Sequence, residues 1–175
     1  MFELLKRSNV DAQQAMYPVI FDQFDRLESV HQTIRDLGRE CYEQDENFCV
    51  CHGDIHIGNL LATDNEIRIV DWDHTRFAPK ECDLMFFLQG GIMKHGLAEE
   101  ESFLHGYGET ELDRNALNYF RFERLFDDVL AFMADVMKDR YSEEDKREAV
   151  RLCHLLFEPG YLYDVARSGY SVNEP

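Results

Sequence analysis

Apolar residues return at three- and four-residue steps through Ile20, Phe24, Leu27, Val30, Ile34, Leu37 and Cys41. That spacing predicts one face of a long helix opening near Pro18 and running to about Glu43, with Phe24 and Leu27 in the core. Pro18 suits a first helical turn. Gly38 weakens the helix by about 1 kcal/mol relative to alanine without ending it. A second long face carries Tyr119, Phe122, Phe126, Val129, Leu130 and Met133. It begins at Thr110-Glu111-Leu112-Asp113, which has capping-box spacing, and continues to about Lys138. Ser142-Glu143-Glu144-Asp145 repeats the device for a helix ending near Phe157, where Pro159 and Gly160 stop it. Shorter helices are expected from Leu84 to Leu88, with Asp83 as N-cap, and from Ala98 to Tyr107.

Strand-like pattern is confined to the middle of the chain. Leu60-Leu61-Ala62 and Ile67-Arg68-Ile69-Val70 read as two strands joined by the turn-forming Thr63-Asp64-Asn65-Glu66. Cys49-Val50-Cys51 reads as a short apolar strand before them, and His74 to Lys80 as a loop closed by Pro79. The sum is an α+β fold, predominantly helical. Residues 1–17 form a weakly ordered lead-in, 18–158 the domain and 159–175 a loosely held tail.

The chain of 175 residues suits one domain with a real core, and 45% hydrophobic content argues against disorder. A net charge of −17 argues against nucleic-acid binding and suits either a cationic small partner or simple solubility. No signal peptide or membrane-length apolar run is visible, so the cytoplasm is the default location. The five cysteines form no C-x-x-C pair. Alternation points Cys49 and Cys51 to one face, which suggests a metal or redox pair, against the simpler reading of reduced, buried thiols.

The chemistry concentrates in residues 49–73. His52-Gly53-Asp54-Ile55-His56-Ile57-Gly58-Asn59 has the H-x-D-x-x-x-x-N spacing of a kinase catalytic loop. There the aspartate takes the acceptor hydroxyl proton and the asparagine holds magnesium. An antiparallel hairpin over 59–73 brings Asn59, which enters it, beside Asp71, which leaves it, so both can offer oxygen to one hard cation. Asp71-Trp72-Asp73 stands where a kinase has D-F-G. His56 and Asp73 lie in the same segment.

HGDIHIGNLL, IVDWD and APKECDLMFF, with GYGETELDRNALNYFRFERLFDDV further on, resemble the aminoglycoside phosphotransferase family of kinase-like enzymes. The likeness is greatest to its spectinomycin phosphotransferase-like branch and covers roughly residues 18 to 140. It implies a two-lobed kinase fold, ATP and magnesium as cofactors, and phosphoryl transfer to a hydroxyl of an aminoglycoside-like or other small molecule, as in antibiotic resistance. Asp54 then takes the base position, and Asn59 and Asp71 the magnesium positions. His52 supports the loop, and Asp83 braces it from the next helix.

The resemblance also implies an N-terminal lobe with a phosphate-covering loop and a lysine. Neither is legible here; Gly106-Tyr107-Gly108-Glu109-Thr110-Glu111 has Glu111 where a third glycine belongs. The chain therefore reads as a C-terminal lobe, with catalytic loop 52–59, metal hairpin 59–73 and helical acceptor region 83–158. Glu123 and Asp127 are candidates to bind a cationic acceptor, or are surface acids paired with Arg121 and Arg124. An exposed apolar face left by the missing lobe would favour a homodimer. Two other functions stay open. One is a binding lobe without turnover, or a truncated and inactive fragment. The other is a haloacid dehalogenase-like phosphatase with Asp71 as nucleophile and Asp73 as acid/base, which needs a parallel sheet.

Overall fold

The structure, a computed structural model, describes residues 11–43, 48–88, 97–108 and 110–168. Its elements run α1 (Asp11–Asp22), α2 (Phe24–Tyr42), β1 (Phe48–Cys51), β2 (Leu60–Ala62), β3 (Ile67–Ile69), β4 (Arg76–Pro79), α3 (Glu81–Leu84), α4 (Leu97–Tyr107), α5 (Arg114–Asp135), α6 (Glu143–Leu155) and α7 (Leu162–Arg167). The fold is mostly helical with small antiparallel sheets, and no helix among the described residues is long and apolar enough to cross a membrane. The chain divides into two compact units. One comprises Met1–Arg35 and Phe122–Asp164, the other Asp36–Arg121 and Val165–Pro175.

The first unit is helical and held by apolar faces. Met16 and Ile20 of α1, Leu27 and Val30 of α2, Leu125, Val129 and Met133 of α5, and Ala149 and Cys153 of α6 are all buried. Gln13 donates to the Val136 carbonyl at 3.0 Å, and the Arg26 guanidinium lies 5.1 Å from the Tyr163 ring. Ser142 caps α6: its hydroxyl accepts from Asp145 N, and the Asp145 carboxylate accepts from Ser142 N, the reciprocal pair of a capping box.

Several expectations change here. The helix expected to open at Pro18 opens at Asp11, with Pro18 inside it, and ends at Asp22. The chain then re-enters a helix at Phe24. The break at Gln23 shifts the phase of the apolar stripe, so Leu27 is buried while Phe24 is 52% exposed. The lead-in over 1–17 lies outside the described residues up to residue 10 and is helical from Asp11. The segment read as a tail contains α7, whose Leu162, Tyr163 and Ala166 are buried.

The second unit holds the strands. β2 pairs with β3 in the register Leu60↔Ile69, Leu61↔Arg68, Ala62↔Ile67, closed by Thr63 N donating to Glu66 O at 2.8 Å. β1 pairs with β4, Phe48 opposite Pro79 and Cys51 opposite Arg76. The span read as a loop is thus partly a strand. Pro79 sits at its end, where its missing N–H removes nothing from the ladder. With only antiparallel pairs among the described residues, the parallel sheet a haloacid dehalogenase-like phosphatase needs is not supplied.

Helix starts differ too. Asp113, not Thr110, caps α5, its Oδ1 accepting from Asn115 N at 2.8 Å and Ala116 N at 3.2 Å. Asp83 lies inside α3 rather than capping a helix at Leu84, because its carboxylate is engaged elsewhere. Gly38 has a packing reason: a Cβ there would stand 2.8 Å from the Tyr119 ring.

Candidate active site

The segment from His52 to Asp73 lies entirely in the second unit and is assembled by polar contacts. β1 delivers it. At its end His52 is almost wholly buried, and Gly53 turns the chain with φ +82. A Cβ on Gly53 would overlap the His74 carbonyl oxygen, so only glycine fits both the left-handed backbone and the close approach.

Asp83 anchors this turn. Its two carboxylate oxygens each accept one backbone N–H, His52 N at 2.8 Å and Gly53 N at 2.7 Å. Both donors come from consecutive residues, which fixes the peptide between them against α3. Charge-assisted bonds of this kind are about twice as strong as neutral ones.

His52 ties the loop to the hairpin. Its Nδ1 accepts from Asp54 N at 3.2 Å, so in the neutral ring Nε2 carries the proton and donates to the Val70 carbonyl at 2.9 Å. The Trp72 ring packs against it with centroids 4.7 Å apart, and the indole N–H is held by Ile69 O at 3.0 Å. Loop start and hairpin end are thereby joined through one side chain.

Asn59 makes the second tie. Its side-chain amide donates to Asp54 O at 2.8 Å, and its own carbonyl accepts from Val70 N at 3.0 Å. Asp54, Asn59 and the residue preceding Asp71 are therefore linked through one buried asparagine. Because the amide nitrogen is committed to Asp54, the oxygen is the atom Asn59 presents.

Asp71 is exposed and has φ +64, the only non-glycine with positive φ among the described residues. Such a backbone disfavours an L-residue, and it recurs where a side chain is held for a function. An amide oxygen and a carboxylate are hard donors, which suits magnesium rather than a soft metal.

His56 completes the set. Its Nδ1 accepts from Gly58 N at 3.0 Å, which turns Nε2 toward Asp54, 3.7 Å from its carboxylate oxygen. Asp73 lies exposed in the turn Trp72–His74. Glu123 and Asp127 fall on the part of α5 in the first unit, Glu123 half-buried and Asp127 exposed. Gly53 and the Val70 carbonyl are structural members of the site that spacing alone does not single out, whereas Trp72 packs as its place in Asp71-Trp72-Asp73 suggests. The glycine between the histidine and aspartate of the loop was the available signal.

The fold is that of kinase-like phosphotransferases. Two solved structures of spectinomycin phosphotransferase APH(9)-Ia, one in complex with ADP and spectinomycin and one bound to AMP, each match with a TM-score of 0.78 and 26% identity. The match covers 96% of this chain, which spans about half of each, 54% and 51%. The chain belongs to the phosphotransferase enzyme family (APH), whose model matches residues 3–120. No curated protein sequence matches it.

Proposed function

We propose that this chain carries the phosphoryl-transfer and acceptor part of a small-molecule kinase, moving the γ-phosphoryl group of ATP to a hydroxyl of a cationic, aminoglycoside-like acceptor. The observation that carries the reading is the double tie of Asn59, to Asp54 O and to Val70 N. It ties the backbone at Asp54 to Asn59 and to the residue before Asp71, which supports a reading in which one carboxylate and two hard oxygen donors act together. Asp54 accepts the proton of the attacking hydroxyl. His56 beside it orients that carboxylate. Asn59 and Asp71 would hold magnesium, which supplies charge neutralisation on the phosphates. His52 and Asp83 keep the loop in place without touching substrate. Nucleotide binding by both matched phosphotransferase structures supports ATP as donor, and the chain's charge of −17 supports a cationic acceptor.

The matched phosphotransferase chains are about twice as long as this one, and we assign the clamp for the α- and β-phosphates to a partner lobe. Val50 and Phe77, directly opposed across β1 and β4, are 69% and 65% exposed. That apolar pair is the surface we assign to the lobe's docking, and the isolated chain should self-associate through it. Sedimentation of a clean monomer at micromolar concentration would count against this docking surface.

The function is tested by radiolabelled phosphate transfer to a panel of hydroxylated cationic molecules. The 175-residue chain is compared with a form extended by a nucleotide-clamping lobe. Transfer by the extended form that depends on Asp54 supports the proposal; transfer indifferent to Asp54→Asn refutes it.

A further inference from the structure

Three thiols adjoin the loop without belonging to its polar network. Cys49 and Cys51 share one face of β1 with their sulfurs 3.7 Å apart. The Cys51 and Cys82 sulfurs and the Asp83 carboxylate lie within 4.8 Å of one another. Their exposures differ sharply: Cys49 is exposed, while Cys51 and Cys82 are 1% and 0% exposed. The expectation of buried thiols thus fails for Cys49.

We propose that Cys49, Cys51 and Cys82 form a thiol relay that is oxidised at the surface by a peroxide and stores the oxidation as a buried Cys51–Cys82 disulfide. In the first step the Cys49 thiolate attacks the peroxide O–O bond, forming a sulfenic acid and releasing water or an alcohol. The Cys51 thiol then displaces hydroxide from that sulfur, giving a Cys49–Cys51 disulfide and water. Finally the Cys82 sulfur attacks Cys51 Sγ as thiolate, forming Cys51–Cys82 and releasing Cys49 as thiolate, so that no proton is transferred in this step and any later protonation of Cys49 comes from solvent. Two thiols are oxidised overall and one peroxide is reduced.

The surroundings of Cys82 suit the attacking role. Arg76 Nε donates to its sulfur at 3.2 Å. The hydrogen bond from Cys51 and the Arg76 charge hold Cys82 below the ordinary thiol value, while that same bond and burial push Cys51 up. Of the two sulfurs Cys82, with Arg76 against it, is thus the one more readily ionised and so the better attacking group. A soft metal is disfavoured at the same atoms. The guanidinium already occupies one side of Cys82, and both Asp83 oxygens already accept N–H groups.

Cys51 and Cys82 immediately precede His52 and Asp83, so the disulfide would run alongside the bonds from His52 N and Gly53 N to Asp83. It would staple β1 to α3.

The test is peptide mapping of the whole reduced chain after treatment with hydrogen peroxide and capping of free thiols, with fragmentation to separate Cys41 from Cys49 and Cys51. The wild type should accumulate the Cys51–Cys82 link, reversibly with dithiothreitol. Its melting temperature should rise by about 5–10 °C on oxidation. Cys49→Ser, at an exposed position that leaves the fold intact, should slow the link at least about tenfold. Cys82→Ser should stop at Cys49–Cys51, and a melting curve confirms that this variant is folded. Absence of the Cys51–Cys82 link in folded wild type, with Cys49 over-oxidised, would overturn the proposal. So would formation of the link at the wild-type rate in Cys49→Ser, or a metal-dependent block by zinc at stoichiometric concentration.

Discussion

The loop from His52 to Asp73 and the helix α6 are held by opposite means. The α6 helix is fixed by a repeated apolar face, with Ala149 and Cys153 buried and a capping box at Ser142. The loop buries His52 and Asn59 instead, and almost every polar atom that fixes it has one designated partner. Apolar packing is non-directional and degrades gradually when one side chain changes. A polar network in a low-dielectric setting fails as a unit, because each lost partner strands another group. The helix is built to be tolerant, the loop to hold atoms in place.

That contrast is open to attack, beginning with its largest expected effect. Asp83→Ala removes the acceptor of two backbone N–H groups and should destabilise by about 4 kcal/mol, since each stranded buried donor costs roughly 1–3 kcal/mol. Urea unfolding measures it. The effect should be strongly non-additive with Gly53→Ala, because both act on one turn. Additivity would show that the loop is not a unit. Leu125→Ala, fully buried on α5, should cost about 3 kcal/mol by lost transfer and cavity terms. It should combine additively with changes in the loop.

A smaller effect is expected at the helix start. Ser142→Ala should cost about 1 kcal/mol. The Asp145 carboxyl is held below its ordinary value by the Ser142 hydroxyl and backbone N–H. A lowered carboxyl contributes stability that is present above the unfolded value and lost as pH falls through the lowered one. Ser142→Ala should therefore also flatten the stability–pH curve below the ordinary carboxylate range. A curve unchanged in shape would show that the box does not tune Asp145.

The smallest stability effect should be at Asp71, where the two demands separate. Asp71→Gly relieves the left-handed backbone and removes the carboxylate. It should leave stability within about 1 kcal/mol of wild type, on either side, since relieved strain offsets the added freedom of the unfolded chain. Phosphate transfer should nonetheless be lost. Activity retained in Asp71→Gly would mean that the strain serves something else.

Sequence alone reached the hairpin because its signals are local: two apolar triplets, and a turn whose Thr63 and Glu66 bond to each other. The Ser142 box was legible for the same reason. β4 was not, since its pairing with β1 joins residues far apart in sequence and Pro79 reads as a breaker. Asp113 as a cap was hidden by a better-looking box at Thr110, and Gly38 looked like a defect until Tyr119 was seen against it. In the site, spacing singled out Asp54, Asn59 and Asp71. The ties that hold them run through a Val70 carbonyl and a His52 tautomer, and neither leaves a trace in residue identity.

The central claim is that Asp54 is the base of a phosphoryl transfer staged on this loop. It is tested most directly by the transfer rate of Asp54→Asn in the form extended by a nucleotide-clamping lobe, with folding verified by its melting curve. Removal of a general base typically lowers the rate by about 10²- to 10⁴-fold, and that loss is expected here with nucleotide affinity nearly unchanged. A folded Asp54→Asn protein that transfers phosphate at the wild-type rate would contradict the account.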